Sequence, residues 1–360
     1  MHKNMGHYVE IVASTETYVD GKKLGYIDPS TYQNEDDIVV HRIPYTKWLP
    51  ARIAHKLRFY PKLYELVDTI RPDFIFLHDA QFASLSKIIK YVKKHPSVRL
   101  VADSHTDYYN SARSFASRYI LHGIIYKQII RKAEPYIEKF YGVLPIRVDF
   151  LKNVYHLPTE KIDFLPMGVD DDIAEIHGNE ITRKKIRNQY GITADDFLIV
   201  TGGKIDKGKM QVLKLMQAIN NLSSPNIKML FFGSVVDELR ERFDSLCSDK
   251  VVYLGWATVS ESYEYFSAAD LVVFPSSHSV YWEQAAGLGI PLVVKYWEGI
   301  THVDLGGNVM FLYKDSEEEI RNTIEQIVTN KEEYNKMKMI AEEKGREFFS
   351  YRNIAKRCLS

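Results

Sequence analysis

Cysteine is nearly absent from this 360-residue chain, with Cys247 and Cys358 the only two. Two thiols give no disulfide framework and no cysteine metal cluster. No apolar run approaches the ~18 residues needed to span a bilayer, and none has the character of a secretory leader. Internal repeats and low-complexity segments are missing too. What remains is 45% hydrophobic and 26% charged, the composition of a globular protein long enough for two domains. The expectation is a soluble, cytoplasmic enzyme.

Acidic residues are missing from two stretches. Residues 38–64 hold Arg42, Lys47, Arg52, Lys56, Arg58 and Lys62 without an acid, interleaved with Tyr45, Trp48, Phe59 and Tyr60. Residues 108–133 hold Arg113, Arg118, Lys127, Arg131 and Lys132, again without an acid. The zero net charge therefore hides an asymmetry. Residues 1–168 carry 24 Lys+Arg against 18 Asp+Glu, a balance of +6. Basic and aromatic residues together suit an anionic membrane surface. A solvated helix face is the plain alternative. No nucleic-acid motif is present. The expectation is peripheral contact with the inner face of the cell membrane.

The stretch from Leu198 to Val294 carries the chemistry. An apolar strand, Leu198-Ile-Val-Thr-Gly-Gly203, empties into Lys204-Ile-Asp-Lys-Gly-Lys209. A second, Leu271-Val-Val-Phe-Pro-Ser276, leads through His278-Ser-Val-Tyr-Trp to Glu283 and on to Gly287-Leu-Gly-Ile-Pro291. In open parallel sheets, ligands sit beyond the carboxyl ends of the strands. Glycine lets backbone N–H groups approach phosphate, and lysine brings a mobile point charge. A carboxylate can accept hydrogen bonds from vicinal ribose hydroxyls. Taken singly, a Lys-rich turn is usually a solvated loop, and a Glu in a first helical turn usually answers the helix dipole. Their order and strand contexts favour a sugar-nucleotide site.

These residues resemble the retaining GT-B glycosyltransferases of family 4, also called glycosyl transferases group 1. Phe164-Leu-Pro-Met-Gly-Val-Asp170 resembles the family's linker block, and Val200 to Lys209 its donor loop. Leu230-Phe-Phe-Gly233 and Val252-Tyr-Leu-Gly-Trp256 resemble its strand ends. Ala268 to Ser276 and Glu283 to Pro291 resemble its last two donor-site blocks. The likeness covers about Asp163 to Leu312 well and the amino-terminal half weakly. It implies an α/β fold of two Rossmann-like parallel-sheet domains facing across a cleft. The implied activity is transfer of a sugar from a nucleotide-diphosphate donor, UDP- or GDP-linked, to a glycan or lipid-linked acceptor. Retention and independence of metal are implied with it, and no cofactor is expected.

The same resemblance implies roles for individual residues. Lys204 and Lys209 would stabilise the leaving diphosphate, and His105, in Val101-Ala-Asp-Ser-His-Thr-Asp107, would stand near the transferred sugar. These three are the expected catalytic residues. Gly203, Lys207, Gly233, His278, Ser279, Val280, Tyr281 and Glu283 are the expected donor-binding residues. Lys207 competes with Lys209 for the loop-lysine role, and the offset from Lys204 favours Lys209. His105 also reads as a loop-capping histidine, and His78 ends a neighbouring strand beside Asp79. Asp170-Asp-Asp172 reads as linker rather than metal triad.

The departures are specific. The family carries a second glutamate eight residues before the one matched by Glu283, and here that position is Pro275. The intervening loop is about four residues short. Lys204 stands where arginine is usual, which keeps the charge and loses the bidentate fork. Met5 to Val12 resembles the family's second strand, so a first strand and its glycine-rich loop are expected to be missing. Two rival readings are a non-catalytic nucleotide-binding member or partner subunit, and a non-hydrolysing sugar-nucleotide epimerase. The epimerase needs an acid–base carboxylate pair that the sequence does not supply.

Strand–helix alternation predicts strands at 8–13, 38–43, 73–78, 99–103, 142–145 and 161–166 in the first domain. It predicts helices at 51–70, 80–95 and 114–138. A second alternation runs from Phe197 to Leu312, followed by helices at 316–329 and 331–348. The expected domains are 1–168 and 169–345, with 346–360 a terminal helix crossing back to the first. The stretch 168–179 is expected to be an aperiodic linker.

Overall fold

The computed structural model describes residues 1–19 and 23–360. The chain divides into two compact units, Met1–Leu165 and Pro166–Ser360. Residues 346–360, expected as a separate crossing segment, are part of the second unit.

The second unit is built on six strands in the order Val251–Tyr253, Ile227–Phe232, Phe197–Gly202, Leu271–Phe274, Leu292–Lys295 and Val309–Leu312. Every neighbouring pair is parallel. Counted along this unit, the order is 3-2-1-4-5-6, the doubly wound arrangement whose ligand crevice lies where the order reverses. Here the reversal falls between Phe197–Gly202 and Leu271–Phe274, which are in register at Ile199 with Leu271. The strands read as unbroken apolar runs because they are covered on both faces. Leu198, Ile199, Val200, Leu271, Val272 and Val273 are all fully buried.

The covering helices supply apolar stripes. Helix Gln211–Asn221 buries Val212, Leu213, Leu215, Met216 and Ile219. Helix Glu317–Thr329 buries Ile320, Ile324 and Ile327 in the same core. Burying each such side chain is worth about 1.5–3 kcal/mol. Helix Val259–Ala268 starts on a capping box, in which Thr258 and Glu261 satisfy each other's backbone N–H.

The stretch expected to be linker is ordered. The Asp170 carboxylate accepts the N–H groups of Asp172 and Ile173 and caps helix Asp171–His177. Asp171 accepts from the Ser350 hydroxyl at 2.6 Å and the Arg352 N–H at 2.8 Å. Three acids in a row are thus spent on a cap and a tie to the terminal helix Tyr351–Leu359. The unit boundary accordingly moves upstream, to Leu165/Pro166.

The first unit carries a four-stranded parallel sheet in the order Phe74–His78, Arg99–Ser104, Lys139–Gly142 and Ile162–Phe164. A second sheet pairs Glu10–Ser14 in parallel with Val39–Ile43, which takes Ser30–Gln33 antiparallel on its other side. Glu16–Val19 and Lys23–Tyr26 form a hairpin. These antiparallel strands depart from the all-parallel expectation. Among the described residues, no ladder joins the sheets.

Two boundaries differ from the periodic reading. The helix expected over 51–70 is two, Ala51–Leu57 and Leu63–Ile70. Arg58 is left-handed at φ 56° and Pro61 follows, so the backbone cannot continue. The strand expected at 142–145 is Lys139–Gly142, and Pro145 opens the next helix, where a missing N–H costs nothing. Among the described residues, no helix is long and apolar enough to cross a membrane.

Candidate active site

Gly203 and Gly233 shape the floor of the loop after the Phe197–Gly202 strand. Both hold positive φ, 117° and 130°. A Cβ on Gly233 would lie 1.9 Å from the Gly203 carbonyl oxygen, so the two backbones pack directly on each other. Gly203 donates its N–H to Phe232 at 2.9 Å, and Gly233 donates to Gly255 at 2.7 Å. Ile205 is fully buried and donates to Ser234 at 2.7 Å, which pins the loop mid-way. Asp206 then turns the chain, accepting the Gly208 N–H at 2.9 Å.

The three loop lysines separate. Lys204 is exposed, with Nζ 3.9 Å from Asp206. Lys207 is 77% exposed and pairs with Glu238 at 3.3 Å, outward from the loop floor. Lys209 is half-buried. Lys204 and Lys209 line one small notch with Gly202, Gly203, Ser276, Ser277 and Ser279. Its volume is about 10 Å³, close to that of one water. Lys207 is not among its lining residues. The Ser276 hydroxyl donates to Gln211 at 3.0 Å and is buried, so this wall is fixed. A larger cavity of about 520 Å³ is lined by Arg183, Asp270, Tyr334 and Arg346 together with Gly287 to Pro291 of the last motif block, and none of the expected catalytic or donor-binding residues lines it.

On the second loop, Val280 is exposed and Tyr281 packs its ring among Phe232, Phe266 and Phe274. That burial raises the Tyr281 phenol above its ordinary range. Tyr281 opens the seven-residue helix Tyr281–Gly287, which places Glu283 in its first turn.

Glu283 is completely buried. Its Oε1 lies 2.9 Å from His278 Nε2 and 2.9 Å from His302 Nε2. A carboxylate acceptor fixes the proton of each ring on Nε2. Oε2 has no hydrogen-bond partner among the described residues. Burial pushes this carboxyl up, but the two histidines outweigh burial and bring it down to about 2. The open, two-oxygen acceptor expected from the sequence is therefore a closed one with a single oxygen to spare. His302 was not among the expected site residues. It lies in a loop without periodicity, 19 residues from Glu283.

The first unit gathers a second cluster at its strand ends. His78 and Asp103 are register partners on adjacent parallel strands. Asp103 Oδ2 lies 2.8 Å from His78 Nδ1 and 3.2 Å from His105 Nε2. Asp103 Oδ1 accepts the Asp79 N–H at 3.0 Å, and Asp79 in turn accepts the His105 N–H at 2.9 Å. Asp103 is 5% exposed, and burial alone would raise its carboxyl. Hydrogen bonds from His105 and His78 reverse this and bring it to about 2. His105 is thus more than a loop cap, since its ring is held by a buried carboxylate.

Comparison with known proteins identifies the family and the fold. Residues 2–173 match the family profile described as Glycosyltransferase Family 4. Residues 196–330 match the one described as Glycosyl transferases group 1. An uncharacterized glycosyltransferase of Methanocaldococcus jannaschii is 24% identical over 161 residues, which span 42% of this chain and 40% of that protein. Among solved structures, sucrose-phosphate synthase of Thermosynechococcus elongatus superposes with a TM-score of 0.67 at 15% identity, covering 99% of this chain and 88% of that one. HepE of Anabaena, solved with UDP and glucose, gives 0.60 at 15% identity over 90% and 85%. The catalytic domain of starch synthase IV from Arabidopsis thaliana gives 0.61 at 16% identity over 99% and 93%. These likenesses establish the fold as GT-B. The chain belongs to the glycosyltransferases of family 4, the group 1 glycosyl transferases.

Proposed function

We propose that this protein transfers a sugar from a nucleotide-diphosphate donor to a glycan or lipid-linked acceptor, with retention and without a metal at the diphosphate. One observation carries the reading. Lys204 and Lys209 converge with Gly202, Gly203 and three serines at the reversal point of a doubly wound sheet. An anion there would meet two cations and the hydroxyls of Ser277 and Ser279. Charge that develops on a leaving diphosphate would be met by groups already in place. A phosphate oxygen of the leaving group would accept the proton of the acceptor hydroxyl.

UDP is the first nucleotide to test, because HepE was solved with UDP-glucose. Glu283 offers Oε2 to one ribose hydroxyl, while Oε1 stays with its histidines. His278 is the most exposed of the three, so a hydroxyl that reaches Oε2 would come from its side. His105 is assigned to the transferred sugar. Calorimetry with UDP and GDP, followed by a donor-hydrolysis assay, tests the whole reading. Lys209→Ala is expected to weaken UDP binding by about ten- to a hundredfold, roughly the 1.5–3 kcal/mol of a charge-assisted hydrogen bond. Unchanged affinity would remove Lys209 from the site. Tight nucleotide binding without turnover would favour the non-catalytic reading.

A peripheral membrane surface belongs to the same proposal. Phe115, Tyr119, Ile120 and Ile124 are exposed along residues 115–124, which also carry Arg118. Trp48 and Ile53 are exposed in the other basic stretch. Apolar side chains among cations are what an anionic headgroup layer takes up. Vesicles containing phosphatidylglycerol should carry the protein upward in a flotation gradient at low salt, and Phe115→Ser with Ile124→Ser should reduce this. Sedimentation of the wild type away from the vesicles would end the idea.

A further inference from the structure

The cluster at the strand ends of the first unit is built from the atoms a transition metal selects. Two imidazole nitrogens and one carboxylate oxygen, from His78, His105 and Asp103, all lie within 4.8 Å of one another. We infer that His78, Asp103 and His105 form a binding site for a divalent cation of the zinc class.

The plain alternative is a buried aspartate neutralised by two histidines. Three features favour the cation. The first is the geometry of the donor atoms. Both rings approach Oδ2, at 2.8 and 3.2 Å, while Oδ1 is committed to the Asp79 N–H. One oxygen flanked by two nitrogens is the edge pattern of a coordination polyhedron, and a metal–ligand distance of about 2.0–2.2 Å fits between them.

The support around the cluster is the second feature. Metal ligands are normally oriented by outer hydrogen bonds. Asp79 supplies them here, donating its N–H to Asp103 and accepting the His105 N–H. Its backbone sits at φ 66°, a left-handed conformation that costs free energy for a residue with a side chain. The Asn110 amide donates to the His105 carbonyl at 2.6 Å and holds the loop from the far side. Arg58 is 3.9 Å from Asp79, which matches the Asp79 charge and leaves the Asp103 charge for the ion.

Access is the third feature. The buried set in the second unit, His278, Glu283 and His302, also brings ligand atoms within 4.8 Å. There Glu283 is 0% exposed and His302 2%, so two of the three ligands are out of reach of solvent. In the first unit, His78 is 71% exposed and His105 38%. An ion can arrive from solvent and keep one or more positions for water. Two nitrogens and one carboxylate with open positions suit Zn²⁺, Co²⁺, Ni²⁺ or Cu²⁺ rather than Mg²⁺ or Ca²⁺. All three ligands belong to the first unit, whereas Lys204 and Lys209 belong to the second. A bound ion would occupy the His105 ring assigned to the sugar, which makes the cation an inhibitor of transfer.

The test uses the full chain, stripped with a chelator and dialysed. Titration with Co²⁺ should bring up the visible bands of a low-coordinate site, and Zn²⁺ should displace them at about one equivalent per chain. His78→Ala, at an exposed position that leaves the core intact, should weaken Zn²⁺ binding at least about tenfold. Asp103→Asn should abolish the bands, with circular dichroism checking the fold. His278→Ala should leave both readouts unchanged. Failure to bind Co²⁺ or Zn²⁺ at large excess would overturn the inference. Unchanged affinity in His78→Ala, or loss of the bands in His278→Ala, would do the same. None of these outcomes depends on UDP binding, so the inference and the proposed function fail separately.

Discussion

Gly233→Ala is expected to unfold the second unit or leave it too unstable to bind nucleotide. Two independent costs meet at this residue. Its φ of 130° lies where a side chain is strained, a penalty of about 1–3 kcal/mol. In addition, the new Cβ would lie 1.9 Å from the Gly203 oxygen and 2.6 Å from its carbon. Both are backbone atoms, so no side-chain rotation relieves the clash. Moving Gly203 aside would disturb its N–H bond to Phe232 and the strand end that leads into Lys204. A total above about 4 kcal/mol places the change among the most damaging single substitutions.

Gly203→Ala is the internal comparison. Its φ is 117°, but the nearest atom to a new Cβ is Tyr281 Cε2 at 4.0 Å. That variant pays for strain alone and should stay folded, with a loss of about 1–3 kcal/mol. Thermal and urea unfolding of the two variants beside wild type measures the difference. Equal melting points would show that the close approach of the two loops carries no weight.

The loops proposed to hold the donor were legible because the strands that lead into them are buried on both faces. Leu271 to Phe274 is a continuous apolar run that Pro275 ends, and Leu198 to Val200 is another ahead of Thr201 and two glycines. Hydrophobic pattern and glycine position therefore fixed where the loops had to emerge. What failed to show depends on tertiary contacts. His302 meets Glu283 from a loop with no periodic signal. Asp103 ended a readable strand, yet its part in the site depends on register with His78, 25 residues away in sequence. Arg58 breaks a helix through a left-handed backbone that its side chain does not announce. Residues 14–33 mix Thr, Tyr, Gly and Asp without clean alternation, and their antiparallel strands are half-exposed or exposed where described. The basic stretches were plain in sequence, but which of their aromatics point outward was not. Tyr45 is buried while Trp48, three residues on, is 73% exposed.

Glu283 gives the second large effect, and its sign follows from the two histidines. The carboxyl sits at about 2 in the folded protein, against an ordinary 4.5. The folded state therefore holds its proton less tightly than the unfolded chain. Stability from this group is fully present above about pH 4.5 and is lost as pH falls from there toward 2. The linkage is worth on the order of 3 kcal/mol across that window. Asp103 has the same sign in the first unit, falling from 3.8 to about 2, so wild type should lose stability in both units on the acid side. Glu283→Gln keeps an oxygen for His278 and His302 but cannot titrate. It should flatten the acid limb of the second unit and leave that of the first. Glu283→Ala removes the shared acceptor from two buried N–H groups and should cost about 3–5 kcal/mol at neutral pH. Urea unfolding of the three proteins at neutral and acid pH checks this. A Glu283→Gln curve parallel to wild type at every pH would mean that the histidines do not hold the carboxylate charged. The same substitution then bears on function. If Oε2 receives a ribose hydroxyl, the Gln variant should lose discrimination between UDP and its dideoxy analogue while keeping the affinity supplied by Lys204 and Lys209. On the proposed reading, the diphosphate and the sugar of the nucleotide would be read by separate groups.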